Sequence, residues 1–182
     1  MKKIVILGPE STGKSFLCKQ LADHYQSQWV PEFAREYLQT NGPAYQFEDL
    51  YKIALGQIKG EDLAASNVSS LNPLPSTLHP VFLDTDLYTI KIWSEISFER
   101  CDNRILTEIA TRQYDAYLLC NPDLPWMPDP LREYPDLAMR QKIYHYYRDA
   151  LVNQAMPWVD ISGTYDQRFE MAIDFIDRIS AA

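Results

Sequence analysis

Short apolar runs alternate along the chain with longer segments whose apolar residues recur at helical spacing. Lys3 to Leu7 (KIVIL) is a β-branched run that stops at Gly8, the pattern of a strand buried on both faces. From Lys14 to about Gln26, Phe16, Leu17, Leu21 and Tyr25 fall at helical spacing, so strand, glycine turn and helix follow directly. A short strand ends in Trp29-Val30-Pro31, and Phe33 to Gln39 reads as helix before Asn41-Gly42-Pro43 breaks the pattern. Phe47 to Ala65 reads as helix with Leu50, Ile53, Ala54, Ile58 and Leu63 on one side, against the helix-weakening Gly56 and Gly60. Three further apolar runs, Val81-Phe-Leu83 before Asp84, Tyr117-Leu-Leu-Cys120 and Trp158-Val-Asp-Ile161, read as strands. Helices are expected around 86–98, 102–113, 134–155 and 166–179, the last opened by a Thr164/Gln167 capping box. The sum is an α/β fold: a doubly wound, mainly parallel five-stranded sheet with helices on both faces and ligands at the strand carboxyl ends.

The stretch 66–80, with its prolines and Ser/Asn/Thr residues, reads as a surface loop. At 182 residues the chain matches one domain, and its 46% hydrophobic content supports one substantial core. Seventeen basic against twenty-five acidic residues leave a net charge of −8, which repels phosphate backbones, so nucleic acid is not the expected partner. The apolar run before Gly8 is too short for a signal-peptide core, and nothing approaches the ~20 apolar residues of a membrane span. Three widely spaced cysteines, Cys18, Cys101 and Cys120, fit reduced thiols and a cytoplasmic protein. His24, His79 and His145 are isolated and no Cys-x-x-Cys occurs, which removes zinc.

The candidate chemistry begins at Gly8-Pro9-Glu10-Ser11-Thr12-Gly13-Lys14-Ser15, a complete G-x-x-x-x-G-K-[ST] pattern between strand and helix. Successive backbone N–H groups in such a loop wrap phosphates, and the helix N-terminus adds partial positive charge. Gly13 permits close approach, Lys14 supplies a charge to the β- and γ-phosphates, and the Ser15 hydroxyl is placed for Mg²⁺. ATP and Mg²⁺ are therefore the expected cofactors. Asp84, at a strand end, suits a Mg²⁺-bound water opposite Ser15, although a strand-terminal Asp also serves as a helix cap.

No Asn-Lys-x-Asp guanine signature occurs, so a small-molecule kinase fits the loop better than a GTPase. Such a kinase needs an acid beside the acceptor hydroxyl and cations over the phosphates. Glu32, just beyond the second strand, or Asp84 fills the first role; the bland alternative makes Glu32, Arg35 and Glu36 ordinary first-turn helix charges. The proline-rich run from Asn121 to Arg132, continuing to Arg140, reads as a lid over about 122–140 whose Arg132 and Arg140 approach the transferring phosphate. Trp126 is a candidate to stack on a flat substrate ring, or else fills a local apolar pocket.

Together GPESTGKS, PEFARE (31–36), ALGQ (54–57), FLDTD (82–86), DPLR (129–132) with Arg140, and Ile161-Ser-Gly163 before Arg168 resemble the ribosylnicotinamide kinase domain of bacterial NAD-biosynthesis proteins, in order from about residue 3 to 179. The resemblance implies a single P-loop kinase domain over 1–182 with a three-layer fold, and ATP-dependent phosphorylation of nicotinamide riboside at its 5′-hydroxyl to the mononucleotide. It places Gly8 to Ser15 at the phosphates, Glu32 and Arg35 near the riboside, and Asp84 and Asp86 beside metal and acceptor. Arg132 and Arg140 fall in the lid, and Gly163 to Arg168 near the adenine. The chain departs from the bifunctional members in lacking a His-x-Gly-His motif, so adenylyl transfer is not expected, and its 66–80 loop is longer than the family pattern. A kinase for another nucleoside and a non-catalytic ATP-sensing module are the competing readings.

Overall fold

The computed structural model describes residues 2–71 and 80–181. Among these residues five strands, β1 (Lys3–Leu7), β2 (Trp29–Val30), β3 (Val81–Asp84), β4 (Ala116–Cys120) and β5 (Trp158–Ile161), form one sheet in the order β2-β3-β1-β4-β5 with every pairing parallel. Parallel strands need crossovers, and among the described residues seven helices supply them or flank them: α1 (Lys14–His24), α2 (Phe33–Asn41), α3 (Phe47–Leu71), α4 (Leu87–Phe98), α5 (Asn103–Thr111), α6 (Leu137–Val152) and α7 (Tyr165–Ala181).

Alternation along β1 sorts the core. Ile4 and Ile6 face Leu17, Leu21, Phe175 and Ile176 of α1 and α7, whereas Val5 and Leu7 face Ile92, Ile143 and Tyr147 of α4 and α6. Leu50, Ile53, Leu87, Ile90 and Ile105 make a third, all-helical cluster. The three layers are thus helix, sheet, helix, as the apolar pattern implies.

Several boundaries differ from expectation, each for a local reason. α3 continues past Ala65 to Leu71, so the expected loop loses its first six residues to helix, and residues 72–79 of it lie outside the described residues. α6 starts at Leu137 rather than 134, because Pro135 precedes Asp136, whose carboxylate accepts from Met139 N–H at 2.8 Å as the N-cap. α6 also ends at Val152, and α5 spans Asn103–Thr111 behind the Asp102 cap. On α1 the buried side chains are Leu17, Cys18, Leu21 and Ala22, while Phe16 is 51% exposed. Gly56 is tolerated within α3 because a Cβ there would lie 2.0 Å from the Phe33 ring. The cysteines are free.

Candidate active site

The carboxyl ends of β1 and β2 open into one cavity of ≈ 360 Å³, and Asp84 at the end of β3 lies behind its wall rather than on it. At its floor runs the loop from Gly8 to Ser15. Gly8 sits at φ 140°, and a Cβ would meet the Cys120 carbonyl oxygen at 2.5 Å, so the loop crosses β4 only as glycine. Gly13 is left-handed at φ 77° and offers no side-chain cap, which leaves the first N–H groups of α1 directed to a ligand. Thr12 Oγ1 and Lys14 Nζ both donate to the Pro9 carbonyl at 2.8 Å, closing the loop on itself. Arg168 is 2% exposed and braces the loop from behind: it donates to the carbonyls of Gly163, Thr12, Ile161 and Asn121 and to the Asp123 carboxylate. Those five bonds use all the N–H donors of a guanidinium. Arg168, expected near an adenine, shapes the loop, and Gly163, at φ 89°, holds its N–H 2.7 Å from Asp123.

Two acids stand where strands end. Asp84 is 2% exposed; the Ser15 hydroxyl lies beside its carboxylate, and Oδ1 has no partner among the described residues. Burial pushes its carboxyl above the ordinary range, while Lys14, the Ser15 hydroxyl and Arg35 pull it back. Glu32 is partly buried on the cavity wall, and burial, followed by the charge of Asp84, pushes it up to about 7 against Lys14 and Arg35. Asp86, expected with these two, lies elsewhere. It is the N-cap of α4, with Oδ1 accepting from Tyr88 N–H at 2.9 Å, and it does not line the cavity.

The segment between β4 and α6 folds over the loop and is tied to it. Glu10 accepts from the N–H groups of Glu133 and Tyr134 at 3.0 Å, and Ser11 Oγ accepts from Met127 N–H at 2.9 Å. Arg35 bridges to Asp129 at 3.0 Å. Arg132 donates to the Met127 carbonyl, and its guanidinium lies 5.7 Å from the centre of the Trp126 ring. Arg140, on α6 and 4% exposed, lies 5.3 Å from the same ring, with Nε and Nη1 unpartnered among the described residues. Trp126, expected as a stacking platform for substrate, holds these two cations and is not on the cavity wall.

The far wall comprises residues that sequence reasoning did not single out. Thr89, Ile92, Trp93 and Ile96 of α4 meet Tyr134, Ile143 and Tyr147 across the space. Their signal was the i, i+3, i+4, i+7 spacing within α4, which reads equally as core. Trp93 Nε1 donates to Tyr45 Oη at 2.6 Å, and Tyr45 Oη donates to Glu133 at 3.3 Å, so this wall is fixed to the overlying segment. Among the described residues no helix is long and apolar enough to cross a membrane.

A family model described as an AAA domain matches residues 3–168. The chain is 25% identical over 181 residues to the trifunctional NAD biosynthesis/regulator protein NadR of Salmonella typhimurium and likewise to that of Escherichia coli. In each case 97% of this chain is covered, and it spans 42% of the relative's length. Its fold is similar to a crystal structure of NadR protein in complex with NR, at a TM-score of 0.78 and 21% identity, covering 100% of this chain and 50% of that one. A deoxyadenosine kinase from M. mycoides superposes with a TM-score of 0.60 at 12% identity, covering 97% of this chain and 99% of the other.

Proposed function

The chain belongs to the AAA domain family, and from that premise we propose that it is an ATP-dependent kinase that phosphorylates nicotinamide riboside at its 5′-hydroxyl, yielding nicotinamide mononucleotide. The observation that carries the reading is the shared cavity: phosphate loop, strand-end acid Glu32 and an aromatic wall open into the same ≈ 360 Å³. That volume lies in the range of small-molecule sites. The similarity to NadR proteins, one in complex with NR, supports the choice of acceptor.

In this reading the N–H groups of the loop and the Lys14 ammonium, which leaves the Pro9 carbonyl, hold the β- and γ-phosphates of ATP. Ser15 and Asp84 fit Mg²⁺, since a hydroxyl stands beside a buried carboxylate with one oxygen unpartnered. A Mg²⁺ held by those two residues would supply charge neutralisation at the phosphoryl oxygens. Glu32, titrating at about 7, orients the 5′-hydroxyl and accepts its proton near neutral pH. The cationic ring lies at the far wall, where Trp93 and Tyr134 offer aromatic faces and Glu10 and Glu133 offer negative charge. Arg132, on the cavity wall, belongs to a lid over 122–140 that adds positive charge as it covers the phosphates, whereas Arg140, on α6 and buried against Trp126, is not on that wall. The chain then acts as one kinase domain on a small-molecule substrate, without a nucleic-acid or membrane partner.

The test is kcat/KM with MgATP for nicotinamide riboside, thymidine, uridine and adenosine. The riboside is expected to be used best. A neutral nucleoside used better would make this a nucleoside kinase of other specificity, and ATP turnover indifferent to every acceptor would make it an ATP sensor.

A further inference from the structure

Glu32 is the N-cap of α2, yet its side chain makes no capping hydrogen bond. An N-cap side chain ordinarily covers one of the free N–H groups of the first turn. Here the cover comes from another helix: Gln57 Oε1, on α3, accepts from Phe33 N–H at 3.0 Å. The other half of the same amide, Nε2, points to the Thr85 carbonyl at 3.5 Å. Thr85 is a β-branched residue in the left-handed region, at φ 74°, a conformation that needs support from its surroundings. It stands between Asp84, beside Ser15, and Asp86, at the N-terminus of α4. Gln57 is 2% exposed and lines no part of the cavity. It reaches both partners because bare Gly56 lets α3 close onto the Phe33 ring.

We propose that Gln57 is a positioning residue that sets Glu32 relative to Asp84. The roles of those two acids rest on the kinase reading above. By capping α2 from outside, Gln57 frees the Glu32 carboxylate for the acceptor, and by holding the Thr85 carbonyl it fixes the turn that presents Asp84 to Ser15. The amide supplies the acceptor and the donor together, at this reach and without titrating.

The test replaces Gln57 with Met, which fills similar volume and lacks both groups. It measures ATP binding with and without Mg²⁺, amide hydrogen exchange at Phe33, and thermal stability, all without an acceptor. Partners that orient a metal ligand are worth about 10–100-fold in metal affinity. The strengthening of ATP binding by Mg²⁺ should therefore fall about 10-fold in the variant, with ATP binding in the absence of Mg²⁺ unchanged and Phe33 exchange accelerated. A lower melting temperature alone, with wild-type Mg²⁺ enhancement or wild-type Phe33 exchange, overturns the proposal. Should the Met variant fail to fold, Gln57→Asn decides: it keeps the amide but is one methylene too short to span both partners, and wild-type Mg²⁺ enhancement in it overturns the proposal equally. Failure of the wild type to use nicotinamide riboside would instead touch the acceptor assignment and leave these readouts standing.

Discussion

The two ends of the cavity are built in opposite ways. Its phosphate end comes from one uninterrupted stretch, residues 8–15, whose backbone geometry is dictated by Gly8 and Gly13 and braced by the buried Arg168. Its acceptor end is gathered from α2, α4, and α6 with the segment that leads into it, three stretches far apart in sequence. The phosphate end thus recognises a group common to all nucleoside triphosphates through main-chain N–H groups. On the proposed reading, the acceptor end would select through side chains, which can change without disturbing the loop. Between them stand Glu10 and Glu133, the first reaching from the loop to the overlying segment and the second from that segment toward Trp93 through Tyr45.

The largest effect should follow from breaking the phosphate end. Lys14→Ala removes a charge that strengthens its contact as the phosphoryl group transfers, and turnover should fall by ~100-fold or more. If the two ends are as separate as their construction implies, the loss is the same for every acceptor. A variant with normal turnover would show that the loop does not hold the transferred phosphate.

Breaking the acceptor end should produce a smaller and more selective loss. Trp93→Ala removes an aromatic face, and contacts of that kind with a cation are worth about 0.5–2 kcal/mol. KM for the riboside should rise about tenfold while KM for ATP stays within about twofold. Trp93→Phe keeps a ring but loses the N–H bond to Tyr45 and should fall between. Equal changes in both KM values would mean that the two ends act as one unit.

The same contrast explains what could be read before the structure. The strands, their parallel arrangement and the phosphate loop follow from contiguous patterns, because burial on both faces and backbone approach to phosphate each leave a local signature. The acceptor wall leaves none of its own: Thr89, Ile92, Trp93 and Ile96 share an ordinary apolar stripe, and only the packing of α4 against α6 turns it to a cavity. Arg168 illustrates the reverse problem. Its position was legible, but its five bonds depend on where Thr12, Asn121, Asp123, Ile161 and Gly163 converge. Gly56 and Gly60 read as weaknesses in a helix, whereas Gly56 is where the Phe33 ring lies and a Cβ on Gly60 would sit 3.1 Å from Val30. Trp126 looked free to stack because the two guanidiniums that occupy it come from positions 132 and 140.

The smallest effect concerns an acid that belongs to neither end. Asp86 lies two residues from Asp84, yet its cap on α4 turns it into a buried cluster with Glu61, Tyr114 and Tyr117 rather than into the cavity. Burial, with the charge of Glu61 adding, pushes its carboxyl up to about 8. The unfolded chain releases that proton near ~4, the ordinary aspartate value. Between those two values the folded state binds a proton that the unfolded state does not, so the slope of stability with pH is negative there. Asp86 therefore costs stability progressively as pH rises from ~4 to about 8, the cost being complete above the folded value. Asp86→Asn keeps an oxygen to accept from Tyr88 N–H and removes the titration. Chemical denaturation at a series of pH values should show a flatter profile in the variant, with its advantage over the parent greatest above pH ~8. Should the variant instead leave that profile unchanged and raise KM for the acceptor, Asp86 would belong to the acceptor end after all, and the division between the two carboxylates of β3 and its following turn would have to be redrawn.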